Sequence, residues 1–150
     1  MLYFEDLQVG DSAVFGPHEL FEEDVIAFAR QWDPQPFHVD PDAAARSPMK
    51  GLTAPSCHTF AVASLLLSRT EVPIAVIGSL RHEMEMPSPA RPGDILSLRV
   101  TFADARPSES KPDRGLVTVE SVLSNQAGTA VLRLRSLIVV KRRPAADAAH

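Results

Sequence analysis

Two side chains with complementary proton chemistry stand close together in Trp32-Asp33-Pro34-Gln35-Pro36-Phe37-His38-Val39-Asp40. A carboxylate and an imidazole that meet on one water molecule form a general acid–base pair, provided their geometry is set beforehand. Pro34 and Pro36 fix their own φ and push Asp33 and Gln35 towards extended backbone. The spacing therefore predicts a stiff loop, with no helix between acid and base, that delivers His38. Taken alone, D-x-x-x-x-H has a plainer reading, in which Asp33 closes a turn and His38 is an ordinary loop histidine.

The elements around the pair must hold it. Val25, Phe28, Ala29 and Trp32 fall on one face of a helix predicted over Glu22–Trp32, with Glu22, Glu23 and Asp24 in its first turn, where the helix dipole favours acids. Trp32 reads as a core anchor at the end of that stripe. Asp40 and Pro41 mark the N-cap and first position of a short helix to Ala45. Cys57 to Thr70 reads as a second long helix whose Phe60, Ala61, Val62, Ala63, Leu65, Leu66 and Leu67 leave almost no polar face. Too short to span a bilayer, such a helix must be enclosed by the protein.

The second half supplies the enclosure. Strands are predicted over Ser12–Leu20, Ile77–Met86, Ile95–Ala105, Leu116–Ser124 and Thr129–Val140. They are separated by turn signals at Pro92-Gly93-Asp94 and Asn125-Gln126-Ala127-Gly128. Leu96, Leu98, Val100 and Phe102 alternate with Ser97, Arg99 and Thr101, and Leu132, Leu134, Ser136, Ile138 and Val140 share a face. Early helices and late antiparallel strands make an α+β domain over residues 1–143, its curved sheet covering the apolar helix. Lys141-Arg142-Arg143 reads as solvated end charge before a disordered tail at 144–150.

Composition narrows the function. The chain has 150 residues, 45% hydrophobic and 23% charged, as in an ordinary globular protein. A net charge of −4 argues against nucleic-acid binding. The single cysteine, Cys57, excludes an intrachain disulfide and a thiolate metal cluster and fits a reducing, cytoplasmic setting. Met1-Leu2-Tyr3-Phe4-Glu5-Asp6 lacks the pattern of a signal peptide, and no apolar run is long enough to span a membrane.

Four segments resemble one family. Tyr3 to Asp11, Asp33-Pro34-Gln35-Pro36-Phe37-His38, Ala54-Pro55-Ser56-Cys57-His58-Thr59 and Arg91-Pro92-Gly93-Asp94 are similar, in order, to segments of the MaoC-like dehydratases, which include the (R)-specific enoyl-CoA hydratases. The resemblance implies a hotdog fold, in which a long antiparallel sheet wraps a central helix, and a homodimer with the acyl pocket near its interface. It also implies reversible (3R)-specific hydration of a trans-2-enoyl thioester carried on coenzyme A or an acyl carrier protein, with no metal and no redox cofactor. Asp33 and His38 would grip the catalytic water, either one acting as the base, with Gln35 and Phe37 in support. The backbone N–H of Thr59 would meet the thioester oxygen, because the family has a glycine in that role at the matching position. Ser56-Cys57 stands where relatives carry a small residue and a tryptophan, so Cys57 would enlarge the acyl pocket. His58 is a pocket residue or a satisfied structural histidine, and the second reading is preferred. Cys57 has no dedicated base and reads as a packing thiol, not a nucleophile. The alternatives are a hotdog thioesterase, which uses similar groups, and a non-catalytic acyl-binding subunit. Arg81, Arg91, Arg99 and the basic C-terminal residues are candidate phosphate contacts or plain surface charge.

Overall fold

A computed structural model of the chain describes residues 1–145. Its frame is a five-stranded antiparallel sheet in the order β1-β3-β4-β5-β2, with β1 Ser12–Glu19, β2 Val76–Glu85, β3 Ile95–Pro107, β4 Arg114–Ser124 and β5 Ala130–Lys141. The alternation read in β3 and β5 is the burial pattern: Leu96, Leu98, Val100, Leu132, Leu134, Ser136 and Val140 are buried, while Arg99, Arg133 and Arg135 are exposed. β1 carries a register break between Phe15 and His18. Gly16 permits it, since its φ is +128° and a Cβ would lie 3.0 Å from the Leu96 carbonyl oxygen.

Four helices precede or cross the sheet: α1 Glu22–Trp32, α2 Pro36–Val39, α3 Pro41–Arg46 and α4 Ser56–Ser68. Asp40 caps α3 as predicted, its carboxylate accepting from the Asp42 and Ala43 N–H groups at 2.9 and 3.2 Å. α4 packs against β1, β3 and β5, burying Val62, Ala63 and Leu66 in the same cluster as Leu96, Leu98 and Leu132. Burial of a leucine-sized side chain contributes about 1.5–3 kcal/mol, which makes this seam the main anchor of the helix.

Three sequence expectations change here. α4 is enclosed on one face only: Leu65 and Leu67 are open to solvent, because a sheet covers one side of a helical cylinder. Trp32 is no core anchor. It is 66% exposed, while Val25 and Ala29 carry the buried stripe of α1. The basic residues after β5 are not free end charges: Arg142 pairs with Glu5 at 2.8 Å, and Arg143 pairs with Asp6 at 2.7 Å and lies over the Tyr3 ring. These pairs clip the C-terminal end of β5 to the turn Phe4–Asp6, whose Phe4 ring rests on Gly115, where any Cβ would collide with it. Of the tail expected at 144–150, residues 146–150 lie outside the described residues.

Candidate active site

The acid–base pair is built where α1 ends. Asp33 precedes a proline and cannot continue the helix, so it becomes the C-cap, with φ −157° and its N–H bonded to the Ala29 carbonyl at 2.8 Å. Gln35 is extended and caps α2, and Pro36 occupies the first position of that turn, where its missing N–H leaves no broken bond. His38 therefore sits inside a one-turn helix and not in a helix-free loop. Pro34 breaks the chain as expected, whereas Pro36 restarts it. The reversal brings His38 Nε2 to 3.6 Å from Asp33 Oδ2.

Both side chains are fixed from behind. Gln35 Nε2 donates to Asp33 Oδ1 at 2.8 Å, leaving Oδ2 to face the histidine. His38 is buried, with the Phe37 ring edge-on at a centroid distance of 4.4 Å, and its Nδ1 lies 2.5 Å from the Thr53 carbonyl oxygen. A carbonyl only accepts, so Nδ1 carries the hydrogen and Nε2 of the neutral ring presents a lone pair. Two acceptors 3.6 Å apart do not bond to each other. A single water, with two O–H groups, satisfies both and leaves an oxygen lone pair pointing away from them.

The pair opens into a cavity of about 340 Å³, whose walls include Met49, Thr53 and Ala54 on one side and the segment Met86 to Ala90 on another. The two sides are tied by the Ala54 N–H donating to the Ala90 carbonyl at 2.8 Å. Ser56 and Thr59 bring the first turn of α4 to the cavity.

That turn corrects the expected oxyanion donor. The Thr59 N–H donates to the Pro55 carbonyl at 3.0 Å, and its hydroxyl reaches the same oxygen at 3.3 Å. Because α4 begins at Ser56, one residue earlier than predicted, the N–H groups without intrahelical partners belong to Ser56, Cys57 and His58. Cys57 is exposed and lies outside the cavity lining, so it does not enlarge the pocket. His58 turns away from the cavity and stacks on Phe28 at 4.4 Å, with interplanar angle 6°. Its Nδ1 is buried without a partner, and burial lowers the pKa of the ring. His58 therefore lies outside the cavity lining, and it is not the satisfied histidine expected, because its Nδ1 lacks a partner.

Thr53, Met49 and the Met86–Ala90 segment escaped the sequence reading. Thr53 acts through its backbone carbonyl, which any residue possesses, so no side-chain signal existed for it.

Comparisons with known proteins bear on the family and the fold. The MaoC-like domain family matches residues 7–125. A 3-hydroxybutyryl-CoA dehydratase of Methylorubrum extorquens is 30% identical over 112 residues, spanning 74% of this chain and 70% of the relative. The crystal structure of a MaoC-like dehydratase from Rhodospirillum rubrum superposes with a TM-score of 0.91 at 41% identity, covering 97% of this chain and 100% of that one. The (R)-hydratase of A. caviae involved in PHA biosynthesis shares the fold, with a TM-score of 0.70 at 24% identity over 93% of this chain and 99% of that one.

Proposed function

The chain belongs to the MaoC-like dehydratase family, and from that premise we propose that it reversibly adds water to a trans-2-enoyl thioester, giving the (3R)-hydroxyacyl thioester. The observation that carries the reading is the pair of acceptors, Asp33 Oδ2 and His38 Nε2, converging at 3.6 Å on the cavity wall.

The proton inventory follows from the acceptor set. Water held by both groups attacks C3 through its free lone pair, and one O–H proton passes to His38 Nε2. The imidazolium formed is stabilised by the adjacent Asp33 carboxylate and by the Thr53 carbonyl behind Nδ1. Asp33 keeps the second hydrogen oriented. The C2=C3 π electrons move towards the thioester carbonyl, and as the enolate collapses C2 takes the proton from Nε2. Atoms and charge balance with no redox step. Negative charge that builds on the thioester oxygen needs a donor, and the unpartnered Ser56 N–H at the start of α4, on the cavity lining, supplies it. Dehydration is the same path reversed.

The lining contains no lysine or arginine among the described residues and already carries the Asp33 carboxylate. An acyl group with a second carboxylate would be desolvated there without a counter-charge, so a neutral acyl chain fits. The 3-hydroxybutyryl-CoA relative supports a coenzyme A thioester as the substrate to try first. The protein works as a homodimer: β2 is an edge strand with Ile77, Leu80 and Met84 exposed, and Leu65 and Leu67 of α4 are open as well.

The test is incubation with crotonyl-CoA, following loss of enoyl absorbance, chirality of the product and free thiol together. Formation of (3R)-hydroxybutyryl-CoA without thiol release is expected. Thiol release without a hydroxyacyl product would replace this reading with a thioesterase.

A further inference from the structure

We propose that Arg91 is a positioning residue for His38, acting through the loop that carries the Thr53 carbonyl; this rests on the reading of His38 as the proton acceptor. Arg91 follows the Met86–Ala90 cavity wall, and its backbone N–H is anchored to Asp94 Oδ2 at 2.9 Å. Its half-buried guanidinium crosses to the opposite wall. There Nη2 donates to the Met49 carbonyl at 2.6 Å and Nη1 to the Leu52 carbonyl at 3.4 Å. The group is thus occupied by backbone carbonyls and is not a free phosphate contact.

The loop it spans has reason to need a strap. Lys50 lies in the left-handed region at φ +55°, a conformation that a non-glycine residue holds only when its surroundings impose it. Gly51 follows at φ +150°, and a Cβ there would sit 3.3 Å from Arg91 Nη1, so the bare backbone lets the guanidinium lie close. Bonds within the loop hold residues 47–51: Lys50 N–H to Ser47 O at 3.0 Å and Gly51 N–H to Ala44 O at 3.0 Å. At Thr53 the N–H reaches Phe37 O at only 3.4 Å, and the peptide that carries the Thr53 carbonyl is held by its Ala54 N–H bonding the carbonyl of Ala90, the residue before Arg91, at 2.8 Å. Arg91 holds this loop by its short bond to the Met49 carbonyl and reaches Leu52, the residue immediately before Thr53, at 3.4 Å.

The consequence is chemical. The Thr53 carbonyl keeps the hydrogen on Nδ1 and leaves the Nε2 lone pair in the cavity. If the carbonyl drifts, the neutral ring samples both tautomers, and one of them turns a hydrogen towards the water in place of a lone pair. Lysine keeps the charge but cannot bridge two carbonyls from one planar group.

The experiment compares Arg91→Lys and Arg91→Gln with the unmodified protein by ¹⁵N NMR of the histidine side chains and by crotonyl-CoA hydration. In the unmodified protein, the His38 signals should report hydrogen on Nδ1 only. In both variants we expect a mixed tautomer and kcat lower by roughly 10- to 100-fold with KM changed less than about twofold. If Arg91→Gln does not fold, Arg91→Lys alone decides. An unchanged His38 tautomer in a folded variant overturns the proposal, whether or not activity falls. The tautomer needs no substrate to be read. A mixed tautomer alongside an unmodified protein that hydrates nothing would therefore sustain the role of Arg91 and reject the hydratase reading instead.

Discussion

The two ends of the cavity differ in how they are held. At the α1–α2 corner, prolines dictate the chain path. Pro34 ends one helix, Pro36 starts the next, and Asp33 and His38 are left facing each other at 3.6 Å. At the start of α4 no residue of comparable authority sets the phase. Pro55 is the N-cap but provides no side-chain cap bond, so the first turn is defined by Thr59 N–H bonding to Pro55 O. A site locked by covalent restriction keeps its geometry through local sequence change. A site defined by where a helix begins changes its donors when that beginning moves by one residue.

This contrast orders the outcomes of mutation. The largest effect belongs to the locked corner: His38→Ala and Asp33→Asn should each reduce hydration by at least ~100-fold, with the thermal midpoint nearly unchanged, in steady-state assays beside calorimetry. Next comes the unlocked end. Ser56 is the first helical residue and Pro55 is already extended, so Ser56→Pro removes one N–H without breaking α4. A fall in kcat of about 100-fold is expected there, Ser56→Ala remaining near the unmodified rate and Thr59→Ala within about threefold. A large loss in Thr59→Ala with none in Ser56→Pro would return the oxyanion role to Thr59.

His58 gives a smaller, purely structural effect. Its Nδ1 is buried without a partner, so His58→Phe, keeping the stack on Phe28, should be neutral or stabilising by up to about 1 kcal/mol in denaturant unfolding. The sign of its pH dependence follows from burial. The folded-state pKa is lowered, so the unfolded chain binds more protons as pH falls below the ordinary imidazole value of about 6.5. The stability contribution is complete above that pH and shrinks between it and the lowered folded value. His58→Phe should flatten that limb, leaving the part due to His18, whose pKa burial also lowers. Smallest of all is Cys57, exposed and outside the cavity: Cys57→Ala should leave the rate within about twofold and the acyl-chain profile unchanged.

Much of this layout was legible in the residues. The strand alternation, the Asp40 cap and α1 follow from local rules of period and capping, whereas the pairing of Asp33 with His38 is implied by the family resemblance and not by the prolines alone. What escaped depends on the third dimension. Trp32 sits at core spacing, yet it stays exposed at the C-terminal end of α1, a helix that packs on α2 and α4. Cys57 and Thr59 are two residues apart on α4 and so point in different directions, which only the start of the helix decides. The Thr53 carbonyl and the Arg91 strap are backbone contacts between distant segments, and no side-chain pattern encodes them.

The shared water is tested most directly by a double-mutant cycle in kcat for crotonyl-CoA hydration, using Asp33→Asn, His38→Ala and the double variant. Two groups serving one water should be strongly non-additive, so the double variant should fall within about threefold of the slower single variant. Losses that multiply would show the two side chains acting independently, and would contradict the account.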